Sequence, residues 1–181
     1  MTIYEALKQD HRKVEKLLDR LVRASESDRE NWKNLIDQIR DELIPHSRAE
    51  EAVFYNAIRE LDKKNGVVAS SYLEHAVAEA DLRTLQGMKL MDINWTPLAK
   101  KLRTDILEHV QNEEEDIFKV AQSLFTHQEA TMIAKAFKEL KPTIQEQSFV
   151  GTSIDLISNL LPRRLVSGFK KNFYSRTKRS A

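Results

Sequence analysis

The sequence predicts an all-α protein, an up-down-up-down four-helix bundle with a short fifth helix and a basic amphipathic C-terminal extension. Three observations support this fold class. The 181 residues include only four glycines and four prolines, whereas turn-rich β folds need many more chain breakers. Charged residues make up 31% of the chain, which is typical of long helices with solvated faces. Apolar residues recur at steps of three and four over long stretches, which is the period of an α-helix.

Helices A and B both begin at a capping box, in which a serine or threonine is followed three residues later by glutamate. Thr2 starts helix A, which we expect over residues 3 to 24. Ser27 starts helix B, which should end where Gly66 follows an asparagine.

A proline at position 45 lies inside helix B. It removes one backbone hydrogen bond and clashes with the preceding turn, so we expect a kink just before His46. The bend either aims His46 inward or only curves a long helix around the core.

Helix C follows the glycine that ends helix B and should end near Asp92. Thr96 followed by Pro97 predicts the start of helix D, because proline in the first helical position loses no hydrogen bond. Thr126 begins another capping box and a short fifth helix, which should end near Gln147 and cover one side or end of the bundle.

The composition restricts the chemistry. There is no cysteine, so thiolate catalysis, disulfides, iron–sulfur clusters and thiolate zinc sites are excluded, and any metal must bind to imidazole and carboxylate. These ligands suit iron or manganese. The N-terminus is charged and no apolar run reaches membrane-spanning length, so we expect a cytoplasmic protein.

Histidine and glutamate interrupt the apolar stripes of all four helices. Four of the five histidines have glutamate four residues later, and residues with this spacing share one helix face. The pairs are His11–Glu15, His46–Glu50, His75–Glu79 and His109–Glu113. All four histidines, with Glu50 and Glu113, occupy core positions, where unpaired carboxylates are costly unless cations compensate them. The pattern predicts a two-metal site in the bundle; the alternative is a buried ion-pair network without metal.

Two further glutamates are less tied to the core. Glu15 lies at the edge of its stripe, and we expect it to be solvated. Glu79 lies on the inward face of helix C and is the candidate for a seventh metal ligand or for a hydrogen-bond acceptor behind the ligands. The alternative for Glu79 is a surface ion pair with Arg83, four residues later.

The two halves of this region resemble each other. At an offset of 63 residues, His46 and Glu50 fall on His109 and Glu113. At an offset of 64 residues, the Asp-His pair that ends in His11 falls on a Glu-His pair in helix C. Helices A and B therefore form a helical hairpin that is repeated as helices C and D.

These motifs resemble the hemerythrin-like, or HHE cation-binding, family over residues 1 to 140. The family pattern is a histidine on the first helix, HxxxE on the second, a histidine on the third and HxxxE on the fourth. Here these are His11, HSRAE at 46–50, His75 and HVQNE at 109–113. Ferritin-like di-iron proteins use Glu-x-x-His instead, and no histidine of this chain has glutamate three residues before it.

The resemblance implies a pair of iron ions bridged by carboxylates and by an oxo or hydroxo group. His11 and His46 would bind one iron, His75 and His109 the other, and Glu50 and Glu113 would span both. Respiratory hemerythrins carry a second histidine where this chain has Glu79. The resemblance therefore does not extend to reversible oxygen carriage.

The predicted function is that of a non-haem di-iron protein that binds or reacts with a small oxidant (dioxygen, nitric oxide or peroxide) in stress response or iron handling. One alternative is an enzyme that consumes peroxide or dioxygen. Another is an interaction module with a structural metal site. The sequence assigns neither a catalytic residue nor an oligomeric state.

Residues 148–181 form a tail outside the predicted bundle of residues 1–147. The tail carries seven basic residues against one acidic residue, Asp155. Its apolar residues follow helical spacing at Ile154, Ile157, Leu161, Leu165, Phe169 and Phe173. We expect a helix that binds an anionic membrane surface, with packing of its apolar half on the bundle as the alternative; the aliphatic stripe disfavours nucleic acid.

Overall fold

The computed structural model describes residues 1–25, 27–63, 66–88, 94–145 and 157–177, and this part of the chain is all-α, as predicted. Its α-helices are α1 (Ile3–Arg23), α2 (Arg29–Glu50), α3 (Asn56–Leu61), α4 (Ala69–Met88), α5 (Thr96–Asn112), α6 (Phe118–Leu124), α7 (His127–Gln145) and α8 (Arg163–Thr177). Residues 157–160 are also helical. Two π-helical segments, Glu51–Tyr55 and Glu113–Ile117, join α2 to α3 and α5 to α6.

The bundle consists of α1, α2 with α3, α4, and α5 with α6. Helix α1 packs against α2 and α5, and α4 packs against the same two helices, so the four helices surround one axis. The predicted end of helix C near Asp92 lies outside the described residues.

The capping boxes are confirmed at the two ends where threonine begins them. The Thr2 hydroxyl accepts from the backbone of Glu5, and the Thr126 hydroxyl accepts in the same way from Glu129. The cap predicted at Ser27 is wrong by one residue, because the Asp28 carboxylate accepts from the start of α2 instead. An ionised carboxylate caps a helix at least as well as a hydroxyl does.

The fifth helix, α7, follows the predicted cap at Thr126 and has 19 residues; its predicted end near Gln147 lies outside the described residues. Its apolar residues keep helical spacing along the whole element, so it can pack along α1 and α2 rather than only across an end. Ile133, Phe137 and Leu140 of α7 are fully or almost fully buried there.

Buried apolar residues form two clusters. The aromatic cluster includes Phe54, Phe118 and Phe137. The tryptophan cluster lies at the other end of the bundle and draws on all four helices. It contains aliphatic residues around Trp32 and Trp95, whose rings stack with centroids 4.9 Å apart. The buried histidines and glutamates belong to neither cluster.

The C-terminal tail packs on the bundle. Ile157, Leu161, Leu165 and Phe169 are buried in the aromatic cluster, so for these four residues the structure shows the alternative to a membrane-facing stripe. The side chains of Ile154 and Phe173 lie outside the described part. No helix in the described ranges is long and apolar enough to cross a membrane.

One arginine fastens the tail to the bundle. Arg164 donates from Nε and Nη2 to the two oxygens of the Glu129 carboxylate, at 2.6 and 2.7 Å, and Nη2 also donates to the carbonyl oxygen of Leu124. Arg164 therefore joins α8 to the junction between α6 and α7. A bidentate pair of this kind also restricts how α8 can be oriented.

Candidate metal centre

The six predicted ligands come from all four bundle helices and meet in one polar layer. His11 lies on α1, His75 on α4 and His109 on α5, while His46 and Glu50 lie one turn apart on α2. Glu113 begins the second π-helical segment. All four histidines are at most 5% exposed, and both glutamates are fully buried.

The ligand atoms converge in two groups. His11, His46 and Glu50 offer donor atoms within 4.8 Å of one another, and so do Glu50, His75 and His109. Glu50 belongs to both groups: one of its oxygens lies 3.6 Å from His46 Nε2 and 3.5 Å from His75 Nε2. A carboxylate shared by two groups of histidines has the arrangement needed to bridge two cations.

Glu113 completes the layer. Its Oε2 lies 3.2 Å from His11 Nε2. No hydrogen bond of good geometry within the described residues reaches either oxygen of Glu50, either oxygen of Glu113 or Nε2 of His11. Buried polar atoms are otherwise nearly always satisfied, so this set of nitrogen and oxygen donors fits a pair of cations.

Each of the four histidines also contacts a carboxylate through its outer nitrogen. The Nδ1 distances are 2.9 Å from His11 to Glu114, 3.3 Å from His46 to Asp10, 3.2 Å from His75 to Glu51 and 2.7 Å from His109 to Glu74. A carboxylate at Nδ1 keeps the proton on that nitrogen, which leaves Nε2 free to bind metal and fixes the ring orientation.

The four carboxylates that contact Nδ1, here called the outer carboxylates, follow the internal repeat. Asp10 and Glu74 each precede a ligand histidine, and Glu51 and Glu114 each follow a ligand glutamate. None of the four was predicted to have a role. Their signal was their position: each is adjacent to a ligand, and each coincides with its counterpart when the halves are aligned.

Burial and electrostatic coupling shift the protonation of the layer. Burial disfavours the charged form of His11, but Glu113 and Glu114 together raise its pKa to about 9. Burial lowers the pKa of His46 to about 4. Burial and the charge of Glu113 raise the pKa of Glu50 well above its ordinary range. A cation beside Glu50 would stabilise its anionic form, and its binding would displace the protons of His11 and Glu50.

A tyrosine that the sequence analysis did not identify also borders the layer. Tyr55 ends the first π-helical segment, is fully buried, and stacks on the His75 ring with centroids 5.6 Å apart. Burial and the nearby charges of Glu113 and Glu50 raise its pKa well above the ordinary value. Its phenol therefore keeps its proton and can donate a hydrogen bond to these carboxylates.

Glu79 lies outside both groups. Its carboxylate accepts from Arg48 at 2.7 Å and from Arg83 at 2.6 and 3.1 Å. The pair with Arg83 is the one given above as the alternative to a metal ligand. Two guanidinium groups hold Glu79 on the surface of the bundle and away from the histidines.

A small cavity lies against the histidines on the side of the tryptophan cluster. Its volume is about 10 Å³, which is room for roughly one water molecule. Its walls are the four histidines with Val14, Leu43, Ser47, Ile106 and Val110. The cavity therefore admits a ligand of only a few atoms to the centre of the layer.

The two histidine pairs differ in what covers them. On the outer side of His46, the Phe137 ring of α7 packs edge-on at 5.7 Å, and Lys141 donates to Asp10 at 2.7 Å. His109 instead borders a surface pocket between α4 and α5. The same ligand chemistry is thus covered by α7 on one side and lies next to solvent on the other.

Comparison with known proteins places the chain in a family. The family model described as the hemerythrin HHE cation binding domain matches residues 2–121. The chain is also 24% identical over 147 residues to a DNA nickase of Nostoc sp.; the alignment covers 81% of the chain but 41% of the relative, so the chain spans about two fifths of that protein. No solved structure matches the chain. The family match includes all six residues of the polar layer, and the chain therefore belongs to the hemerythrin HHE cation-binding family.

Proposed function

We propose that the chain binds two iron ions and that this pair binds or reacts with a small oxidant: dioxygen, nitric oxide or peroxide. His11 and His46 would hold one ion, His75 and His109 the other, and Glu50 and Glu113 would bridge them. The small cavity beside the four histidines carries the proposal, because it lies against the donor atoms and has room for a ligand of only a few atoms.

The residues around the layer suit this function. Iron, when bound, supplies a Lewis acid that can change oxidation state. The outer carboxylates hold the imidazoles in the tautomer that binds metal. Apolar side chains such as Val14 and Ile106 line the cavity, and its small volume excludes larger molecules. The Tyr55 phenol provides a proton for hydrogen bonding to a bridging carboxylate.

The test is metal analysis of protein purified without oxygen, followed by optical spectra with each oxidant. We expect two irons per chain, with less iron in both His46→Ala and His109→Ala. A spectral change with one of the three oxidants would identify the ligand, and multiple turnover of peroxide would distinguish an enzyme from a stoichiometric sensor. Binding of at most one metal per chain with excess ferrous ion would overturn the di-iron proposal.

A second candidate, nicking of DNA, is favoured by the similarity to the DNA nickase across 81% of this chain. The burial of the layer opposes a hydrolytic version of it, since His11 and His46 are 3% exposed and a phosphodiester cannot reach them. We therefore expect the iron-loaded chain to leave supercoiled plasmid intact. Relaxation of the plasmid that is lost in His46→Ala would establish nicking by this site.

A further inference from the structure

The internal repeat extends beyond the ligands to the surface on which α7 packs. Lys141 of α7 donates to Asp10 at 2.7 Å and to Glu42 at 3.1 Å, so one ammonium group bridges α1 and α2. Phe137 lies one turn before Lys141 and covers His46. This spacing puts an aromatic ring and a lysine on the same helix face.

The repeat places an equivalent surface on α4 and α5. At the offsets of 64 and 63 residues, Asp10 corresponds to Glu74 and Glu42 corresponds to Asp105. Glu74 and Asp105 both line a surface pocket of about 240 Å³, together with His109. The hydrogen bond from His46 to Asp10 has its counterpart in the one from His109 to Glu74. The inner part of the arrangement is therefore present in both halves.

The outer part is present in one half only. Within the described residues, Glu74 accepts from His109 and from no lysine or arginine. Lys101 of α5 donates to Asp105 at 2.7 Å and to Asp81 of α4 at 2.6 Å, so it bridges the two helices from within, but in the described part of the chain no ammonium group joins Asp105 to Glu74. Two of the large apolar side chains exposed in the described part also border this pocket, Leu73 at 67% and Val77 at 39%.

We propose that the α4–α5 pocket is the docking site for an amphipathic helix of a protein partner. The helix would place a lysine between Glu74 and Asp105 and, one turn earlier, an aromatic residue over His109, as α7 does on the other half. Leu73 and Val77 lie one turn apart on α4 and provide the apolar floor for such a helix. This role is separate from the proposed reaction with oxidants.

Charge favours a cationic helix over other occupants. The pocket is bordered by Glu74, Asp105 and Glu108, and Glu108 is exposed. An anionic membrane surface would be repelled by these three carboxylates, whereas a lysine-bearing helix is attracted by them. Exposed apolar side chains surrounded by polar groups are typical of protein interaction sites.

The test uses a labelled synthetic peptide with the sequence of residues 127–145, which carries Phe137 and Lys141 at the required spacing. Its binding to the iron-loaded full chain is followed by fluorescence anisotropy. We expect saturable binding, which Lys141→Glu in the peptide or Val77→Glu in the chain weakens at least about tenfold. Lys135→Glu in the peptide, the same change of charge at an exposed position of α7, should leave binding unchanged.

Iron content and circular dichroism of the chain variants serve as checks that the fold is intact. Absence of peptide binding to the unaltered chain would overturn the proposal, and so would equal affinity for the Lys141→Glu peptide. Self-association of the full chain that Val77→Glu abolishes in sedimentation velocity would assign the face to a second copy instead. That result, too, would overturn the proposal of a separate partner.

Discussion

The α1–α2 half and the α4–α5 half of the bundle have the same inner chemistry and different outer surroundings. Each half offers two buried histidines and one buried glutamate, and each histidine contacts a carboxylate through Nδ1. Helix α7 covers the first half at Asp10 and His46, whereas Glu74 and His109 border an open pocket in the second. The repeat therefore reproduces the ligands, but the segment that covers one half has no described counterpart on the other.

The largest expected effect tests whether the two halves share their ligands. Glu50 belongs to both ligand groups, so Glu50→Ala should abolish binding of both ions, whereas His46→Ala and His109→Ala each weaken one group. Elemental analysis after reconstitution measures this difference. Retention of one full equivalent of metal by Glu50→Ala would show that the groups are independent.

The next effect distinguishes the covered half from the open one by stability. Phe137 is 2% exposed, so Phe137→Ala should lower the free energy of unfolding by about 3–5 kcal/mol. Val77→Ala on the open half should change it by less than about 0.5 kcal/mol, because that side chain is already exposed. Denaturant titrations of both variants give the comparison, and equal losses would contradict it.

A smaller effect separates the two equivalent carboxylates. Asp10→Asn and Glu74→Gln should each lower metal affinity by up to about 10- to 100-fold, because each replaces the anionic acceptor that orients a histidine with a neutral amide. Only Asp10→Asn should also weaken the docking of α7, because Asp10 accepts from Lys141 as well. Competition with a chelator measures affinity, and limited proteolysis reports the release of α7. Equal protease sensitivity of the two variants would show that Lys141 contributes nothing.

The smallest effect concerns the anchor between the tail and the start of α7. The hydrogen bond from Arg164 lowers the pKa of Glu129 from its ordinary value of 4.5 to about 2. Because the folded pKa is depressed, the pair stabilises the fold above about pH 4.5 and loses this contribution as the pH falls towards 2. The pair is partly exposed, so it is worth about 0.2–1 kcal/mol. The stability difference between the unaltered chain and Glu129→Gln should therefore shrink from pH 6 to pH 3, as followed by urea denaturation; a constant difference would contradict it.

The sequence was sufficient to predict the buried layer of histidines and glutamates because the chemistry of these residues conflicts with their position. Histidine and glutamate on an apolar stripe are costly, so His11, His46 and Glu50 could be identified from spacing alone. Glu79 also lies four residues after a histidine. Its partner Arg48 comes from another helix, however, and no local pattern reveals that pairing. The packing of α7 on one half depends on such long-range contacts as well.

The two π-helical segments can be recognised in the sequence from the spacing of the core residues. On a regular helix a core stripe alternates steps of three and four residues, because a turn contains 3.6 residues. Around the site the steps are four residues each time, through His46, Glu50, Phe54 and Ile58 in one half and His109, Glu113, Ile117 and Ala121 in the other. A run of fours would rotate off the core face of an α-helix, and a wider π turn restores the alignment.

The stacked tryptophans determine what intrinsic fluorescence can report. Trp32 and Trp95 are the only tryptophans of the chain, and both lie in the tryptophan cluster. Their emission therefore follows the melting of that end of the bundle, whereas release of α8 from the aromatic cluster leaves the emission unchanged. Circular dichroism registers both events. A thermal midpoint that differs between the two optical signals would measure how independently the two ends of the bundle unfold on either side of the polar layer.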